Sequence, residues 1–349
     1  MKKPSANLPM IILAVLLGII LIMIIVYIVL SKDNGNAAGD GNQTVEEQQT
    51  GTEDGHPEKW QEGIISYKGR DYQYNDSIHT YLMMGIDKNE PVSAAEDYIS
   101  GGQSDAMFLL VTDADKQTMC VIAINRNTMT EVQIFDTKGR SLGTMEAQIC
   151  VAHGYGDGKR VSCGYAVDAV SGLFGDIPIE GYFAMNMGGI PIMNDAIGGV
   201  EVEVLHDLTS EADGVELHAG EVVTLSGNEA YYYLHGRDCS EFASSDARLL
   251  RQQQYIDAYT AKLKQLTGSN PTVMIDIYNS IDDYMVTNLD FVSVASELMT
   301  YTYDADTDWY SVPGETVMGE KFEEYHVDED ALEELIIQVF YEEAEKQGT

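Results

Sequence analysis

Positive charge is what this 349-residue chain lacks most: 20 Lys and Arg stand against 57 Asp and Glu, a formal net charge of −37. A chain so acidic has no electrostatic footprint for a phosphate backbone, which argues against nucleic acid as a partner. It argues equally against broad adhesion to an anionic membrane surface. Cysteine is scarce too. Cys120, Cys150, Cys163 and Cys239 form no CxxC pair and no metal-like spacing, so no zinc site is expected. Outside a cell a disulfide is permitted, but its connectivity is not legible. Cys120 lies in an apolar run and reads as core. No internal repeat is visible, which sets solenoids and propellers aside.

From Pro4 to Ser31 charge is missing altogether, and Met10 to Leu30 is almost unbroken Ile, Leu, Val and Met. About 20 apolar residues at ~1.5 Å each cross a bilayer core of ~30 Å. A cleaved signal peptide is the competing reading. Its apolar region is typically roughly 7–15 residues, however, and Ser31-Lys32-Asp33 is a poor cleavage context. Lys2 and Lys3 precede the run, which by the positive-inside rule leaves the N-terminus in the cytoplasm and the rest outside. The expected layout is a cytoplasmic tail at 1–7, a transmembrane helix at 8–30 and a disordered linker at 31–62, rich in Gly, Asn, Gln, Thr and Glu. A folded domain at 63–269 follows, then a C-terminal lobe at 270–349 packed on it.

Ile64 to Tyr74 alternates apolar and polar residues around Lys68-Gly69, a β-hairpin pattern. Tyr81 to Ile86, Ala106 to Thr112 and Met119 to Ile124 are nearly all apolar, as expected of strands covered on both faces. Tyr182 to Met187, Val200 to Leu205 and Asp308 to Val312 read as further strands. Tyr165 to Phe174 and Ile190 to Ile197 read as helices stopped by Gly175 and by Gly198-Gly199. Ser244 or Ser245 caps a longer helix whose buried stripe is Leu249, Ile256, Tyr259, Leu263 and Leu266. A last, acidic helix is expected from Asp328 to about Glu345. The fold class is α/β, with a mixed central sheet sandwiched by helices.

Two carboxylates sit at strand ends. Asp87 closes one apolar run and Asp105 opens the next, so antiparallel neighbours bring both to one sheet edge. There they repel each other. Mg²⁺, commonly held by one or two carboxylates and substrate phosphate oxygens, relieves that repulsion; plain loop capping is the alternative. Arg126 leaves a third apolar run at what should be the same edge. Arg248 and Arg251 are three apart on one helix face, in the first turns, where free N–H groups already favour an anion. With Arg237, they are four of only seven arginines, which suggests an oxyanion clamp. Ordinary salt bridges to Asp238 and Asp246 are the alternative.

The order of "GID", "SDAM", an arginine after "VIAIN", "GIPIMNDAIGGVEVEV", "LSGNEAYYYLHGRD" and "DARLLRQQQ" resembles the LytR–CpsA–Psr family. The matches run from about Tyr81 to Ile256. The resemblance implies a single-pass membrane protein that transfers a glycopolymer from a polyprenyl pyrophosphate carrier to peptidoglycan. It implies Asp87 and Asp105 as Mg²⁺ ligands. It implies Arg126, Arg237, Arg248 and Arg251 as pyrophosphate ligands, joined by His235 and Gln253. Asp246 and Asp238 are the candidates to deprotonate the acceptor. The long prenyl tail needs an apolar cavity, and Met83, Met84, Met107, Met185, Met187 and Met193 are candidates to line it unless they are plain core. The chain departs from the family pattern at Gln103, Asn125, Asn127 and His235, where arginine, proline, aspartate and arginine are usual. Those departures motivate two other readings, a non-catalytic lipid-pyrophosphate or glycan binder and a polyprenyl pyrophosphate hydrolase. A transmembrane sensor ranks last, because seven residues before the anchor leave no room for an output domain.

Overall fold

The computed structural model describes residues 64–211, 213–236, 244–270, 273–289, 301–302 and 307–344. The expected tail, anchor and linker lie outside these, as do Arg237, Asp238 and Cys239. Among the described residues no helix is long and apolar enough to cross a membrane.

A six-stranded mixed sheet carries the fold. Its strands are β1 (Ile78–Ile86), β2 (Ser104–Asp113), β3 (Thr118–Ile124), β4 (Gly181–Asn186), β5 (Met285–Thr287) and β6 (Trp309–Ser311). They lie in the order β5-β4-β1-β2-β3-β6. β1, β2 and β3 form an antiparallel meander, while β4 joins β1 and β6 joins β3 in parallel. The apolar runs read from the sequence are these central strands, apolar on both sides because both faces are covered.

Side-chain alternation divides them between two cores. Tyr81, Met83, Phe108, Leu110, Val121 and Phe183 face one core. It is closed by α2 (Gly189–Ala196), α3 (Gly227–His235), α4 (Ser244–Ser269) and α5 (Val273–Ile281). Leu82, Met84, Ile86, Leu109, Ile122 and Ile124 face the other. There α1 (Arg160–Leu173), the short 3₁₀ turn Ile149–Gly154 and α6 (Glu329–Phe340) cover them. The expected stops at Gly175 and at Gly198-Gly199 are all left-handed glycines, with φ of 75°, 76° and 79°. They suit the αL conformation that ends a helix.

Two expectations are corrected, and one hairpin is new. Residues 270–349 do not form a lobe packed on a finished core. Both edge strands of the sheet, β5 and β6, come from that segment. The last helix stops at Phe340 rather than near Glu345, because Tyr341–Glu343 pairs antiparallel with Arg70–Tyr74 of the N-terminal hairpin. A second hairpin, Met129–Phe135 with Ser141–Gln148, was not foreseen.

Phe340 is fully buried, its ring 6.2 Å from that of Phe174. Phe340→Ala should therefore lower the unfolding free energy by ~3–5 kcal/mol in a urea titration. A loss below ~1 kcal/mol would mean that α6 is not part of the core.

Candidate active site at the β1–β2–β3 edge

A β-bulge builds the centre of the site. The β1–β2 register runs from Gly85 opposite Ala106 directly to Ile86 opposite Ser104, leaving Asp105 with no partner across the strand. Such an extra residue re-aims its side chain. Asp105 reaches two arginines: its Oδ2 accepts from Arg248 Nη1 at 2.8 Å, and its Oδ1 lies 2.9 Å from Arg126 Nε. The second contact is between charges without hydrogen-bond alignment, so Asp105 Oδ1 is buried and accepts no hydrogen bond. Asp105, Arg126 and Arg248 are 11%, 9% and 3% exposed at their side chains. Little water screens them, and breaking such a group strands a buried charge.

Neighbouring polar groups hold the arginines. Arg126 Nη2 donates to Gln103 Oε1 and lies 3.1 Å from Cys150 Sγ. Asn125 and Asn127, which flank Arg126, dock the first turn of α4: Asn125 Nδ2 donates to Asp246 Oδ1, and Asn127 Nδ2 donates to Ser245 Oγ at 3.0 Å. Asn127 also accepts from Gln148 Nε2. Asn127 therefore links α4 to Gln148 across this edge.

The other expected residues divide. His235, the last residue of α3, packs against Tyr231 with ring centroids 4.5 Å apart. Burial, then the Arg248 charge, lowers its pKa, so the imidazole is neutral near pH 7. Tyr231 Oη donates to Asn89 Oδ1 at 2.6 Å, tying α3 to the loop after Asp87. Asp87 keeps an exposed edge and accepts the Gln103 N–H at 2.6 Å. Loss of surrounding solvent, and then the Asp105 charge, raises its carboxyl above the ordinary range.

Arg251 is not directed as expected. Its Nε donates to Tyr233 O at 2.8 Å and its Nη2 to Gly236 O. Gln252 Nε2 donates to Leu234 O at 3.1 Å. These are the carbonyls a helix leaves unpaired at its C-terminus, and a cation there also meets the negative end of the dipole. Burial pulls the Arg251 pKa down to about 10, still well charged at neutral pH. Arg251 and Gln252 thus cap α3. Gln252, not Gln253, lines the adjoining cavity. Asp246 also accepts from Thr316 Oγ1 at 2.8 Å through its second oxygen, so both its oxygens are engaged in docking. Arg248 pairs with Asp105.

Beside this cluster an apolar cavity of about 150 Å³ opens under the sheet. Met83, Met84, Met185, Met187 and Met193 line it with Phe108, Tyr255 and Trp309. Met107, fully buried in the opposite core, does not; Met84 belongs to that core too and meets the cavity beside Gly85. Gly85, Ala106, Leu234 and Gln252 also line the cavity. Each is next or next but one in sequence to Asp87, Asp105, His235 or Arg251, so the charged cluster stands at the cavity's rim.

A family model, LytR_cpsA_psr, matches residues 37–339. The chain belongs to the LytR–CpsA–Psr family. One relative, from Halalkalibacterium halodurans, is 28% identical over 190 residues, 54% of each chain. It is named a polyisoprenyl-teichoic acid–peptidoglycan teichoic acid transferase, TagU. A TagU of the same name from Bacillus mycoides is 30% identical over 252 residues, covering 65% of this chain and 76% of its own. The LytR–CpsA–Psr chain thus spans about half the length of the first relative and three quarters of the second. The crystal structure of B. subtilis TagV matches at TM-score 0.56 and 23% identity, over 75% of this chain and 96% of that one, a likeness of fold.

Mg²⁺ was expected on Asp87 and Asp105. Among the described residues no group of three or more His, Cys, Asp or Glu side chains converges as a metal cage. Two carboxylates fit part of a hard-cation site, because Mg²⁺ retains waters and takes phosphate oxygens. The unaligned Oδ1 of Asp105 and the half-exposed Asp87 are the oxygens such an ion would use.

Asp105→Asn should remove the carboxylate shared by two buried arginines and cost ~3–5 kcal/mol of stability. Arg248→Gln should cost less, since Arg126 still faces Asp105; equal losses in urea unfolding would refute a shared carboxylate. A second outcome concerns pH. A raised folded-state pKa means that the native Asp87 holds its proton while the unfolded chain has released it. Stability attributable to Asp87 is therefore lost as pH rises from the ordinary carboxylate value through the raised one. Asp87→Asn should remove that loss and make the protein more stable at neutral pH than the wild type. An unchanged stability–pH profile would show that Asp87 is not crowded.

Proposed function

We propose that this chain is a membrane-anchored extracellular phosphotransferase that moves a glycopolymer, teichoic acid or a related polymer, from a polyprenyl pyrophosphate carrier to peptidoglycan. The observation that carries the reading is the charged cluster at the rim of an apolar cavity. Such a pairing suits a molecule that is prenyl at one end and pyrophosphate in the middle. The five cavity methionines supply a flexible, apolar lining that adapts to a long unsaturated chain. The TagU relatives named above support the same substrate class. The uncharged run before Ser31 supports the anchor, with the N-terminus cytoplasmic and the folded part outside.

In this reading Asp105 is the resident anion that Arg126 and Arg248 hold until the pyrophosphate arrives. The guanidiniums then meet phosphate oxygens, for which their planar fork is suited. A sugar hydroxyl of the glycan attacks the phosphorus that bears the glycopolymer. A new P–O bond forms, the bridging P–O bond breaks, and prenyl phosphate leaves with the charge. Arg126 and Arg248 stabilise that growing charge at fixed positions in a poorly hydrated site. His235, kept neutral, and Asp87 are the groups of the cluster suited to take the hydroxyl proton. A bound Mg²⁺ on Asp87 and Asp105 would supply further charge neutralisation at the phosphates. Arg251 and Gln252 act indirectly, by fixing the end of α3 that carries His235.

The test uses the full-length chain in membrane vesicles with a lipid-linked teichoic acid precursor and peptidoglycan fragments. Wild-type protein should form a phosphodiester-linked glycan conjugate and release prenyl phosphate. Arg126→Gln should lower the rate by ~100-fold or more, as expected when a preorganised charge on the transferred group is lost. Release of prenyl phosphate with no conjugate would establish the hydrolase instead. Tight binding with neither product would establish the non-catalytic binder.

A further inference from the structure

A histidine that the sequence did not single out holds the Asp87 side of this site. His153 lies in the 3₁₀ turn Ile149–Gly154 and is 2% exposed. Its Nδ1 donates to the carbonyl of Gly102 at 2.9 Å, and its Nε2 lies 3.7 Å from Cys163 Sγ on α1. Burial lowers the imidazole pKa and pushes the thiol up to about 12, so the two meet as a neutral pair. The proton then sits on Nδ1 and the thiol hydrogen points at Nε2.

The Gly102 carbonyl belongs to the same planar peptide as the Gln103 N–H. That N–H donates to Asp87 Oδ1 at 2.6 Å, and Asp87 N–H returns a bond to Gln103 O at 3.0 Å. A hydrogen bond on the carbonyl end of a peptide fixes its plane and polarises the N–H at the other end. The loop has no slack for any other arrangement. Gly102 has φ of +90°, and a Cβ there would lie 2.8 Å from Ile86 Cγ2 and 3.0 Å from Asp87 Oδ1. A Cβ on Gly101 would lie 2.7 Å from the carbonyl oxygen of His153.

We propose that His153 is the positioning residue for Asp87: by gripping the Gly102–Gln103 peptide it fixes one carboxylate oxygen and leaves the other presented to a divalent cation. This rests on the reading of Asp87 as a cation ligand. His153 touches neither cation nor substrate and acts only through the peptide. The same 3₁₀ turn brings Cys150 against Arg126, so a single element touches both the carboxylate side and the arginine side of the cluster.

The test compares two polar replacements in the full-length protein. His153→Asn keeps a donor near the Nδ1 position, whereas His153→Gln moves it to the Nε2 position. His153→Gln should speed amide exchange at Gln103 and weaken Mn²⁺ binding, each by about tenfold, the effect of one lost buried hydrogen bond. His153→Asn should stay within about threefold of the wild type on both measures. A merely structural histidine would instead lower the melting temperature in both variants while leaving Mn²⁺ affinity alone, and that result overturns the proposal. So does an unchanged Gln103 exchange rate in His153→Gln. If Gln103 responds as expected but wild-type protein takes up no Mn²⁺, the cation reading falls while the grip of His153 on Asp87 stands.

Discussion

The buried carboxylate of Asp105 is the constraint around which this molecule is arranged. A bulge in β1–β2 aims it inward, and two arginines from different elements close on it. Arg126 comes from the exit of β3 and Arg248 from the second turn of α4. Both arginines are buried against this one carboxylate. The pairing also fixes where α4 begins, because Asn125, Asn127 and Asp246 fasten its first turn over the same edge. α4 in turn supplies the tyrosines that wall the cavity and the cap that ends α3. The polar rim and the apolar interior are consequences of one placement.

Much of this was legible in the sequence, for physical reasons. β1, β2 and β3 announced themselves because a strand covered on both faces must be apolar at every position. Asp87, Asp105 and Arg126 were legible because they interrupt or end such runs, and an antiparallel meander has only two edges on which to place them. Of the six methionines read as candidates for the cavity, five line it, and Met107 lies in the opposite core. Asn127, which looked like a loss of function, became a docking residue once Ser245 and Gln148 were seen around it.

What stayed hidden is non-local. Nothing near Arg251 announces that the carbonyls of α3, some fifteen residues earlier, would claim it. The strand Tyr341–Glu343 continues a helical composition and is diverted only because Arg70–Tyr74 offers it a ladder. β5 is three residues long, too short for any periodicity to register; β6, equally short, was legible as a strand, but its place at the sheet's edge was not. The hairpin Met129–Phe135 with Ser141–Gln148 shows mostly exposed side chains along its second strand, so it carries no apolar pattern. His153 sits in a run of small residues, and its role exists only through a peptide fifty positions away.

The two short edge strands have a consequence for how the molecule is made. A chain that emerges N-terminus first can assemble β1, β2, β3 and β4 early, but it lacks both borders of the sheet until residues 285–311 arrive. Until then the outer ladders of β3 and β4 are open, and Trp309, which walls the cavity, is absent. The nascent protein therefore passes through an interval in which an apolar hollow and two unpaired strand edges face its surroundings at once. Such edges recruit other strands. Completion of the hollow and removal of the aggregation hazard are the same late event.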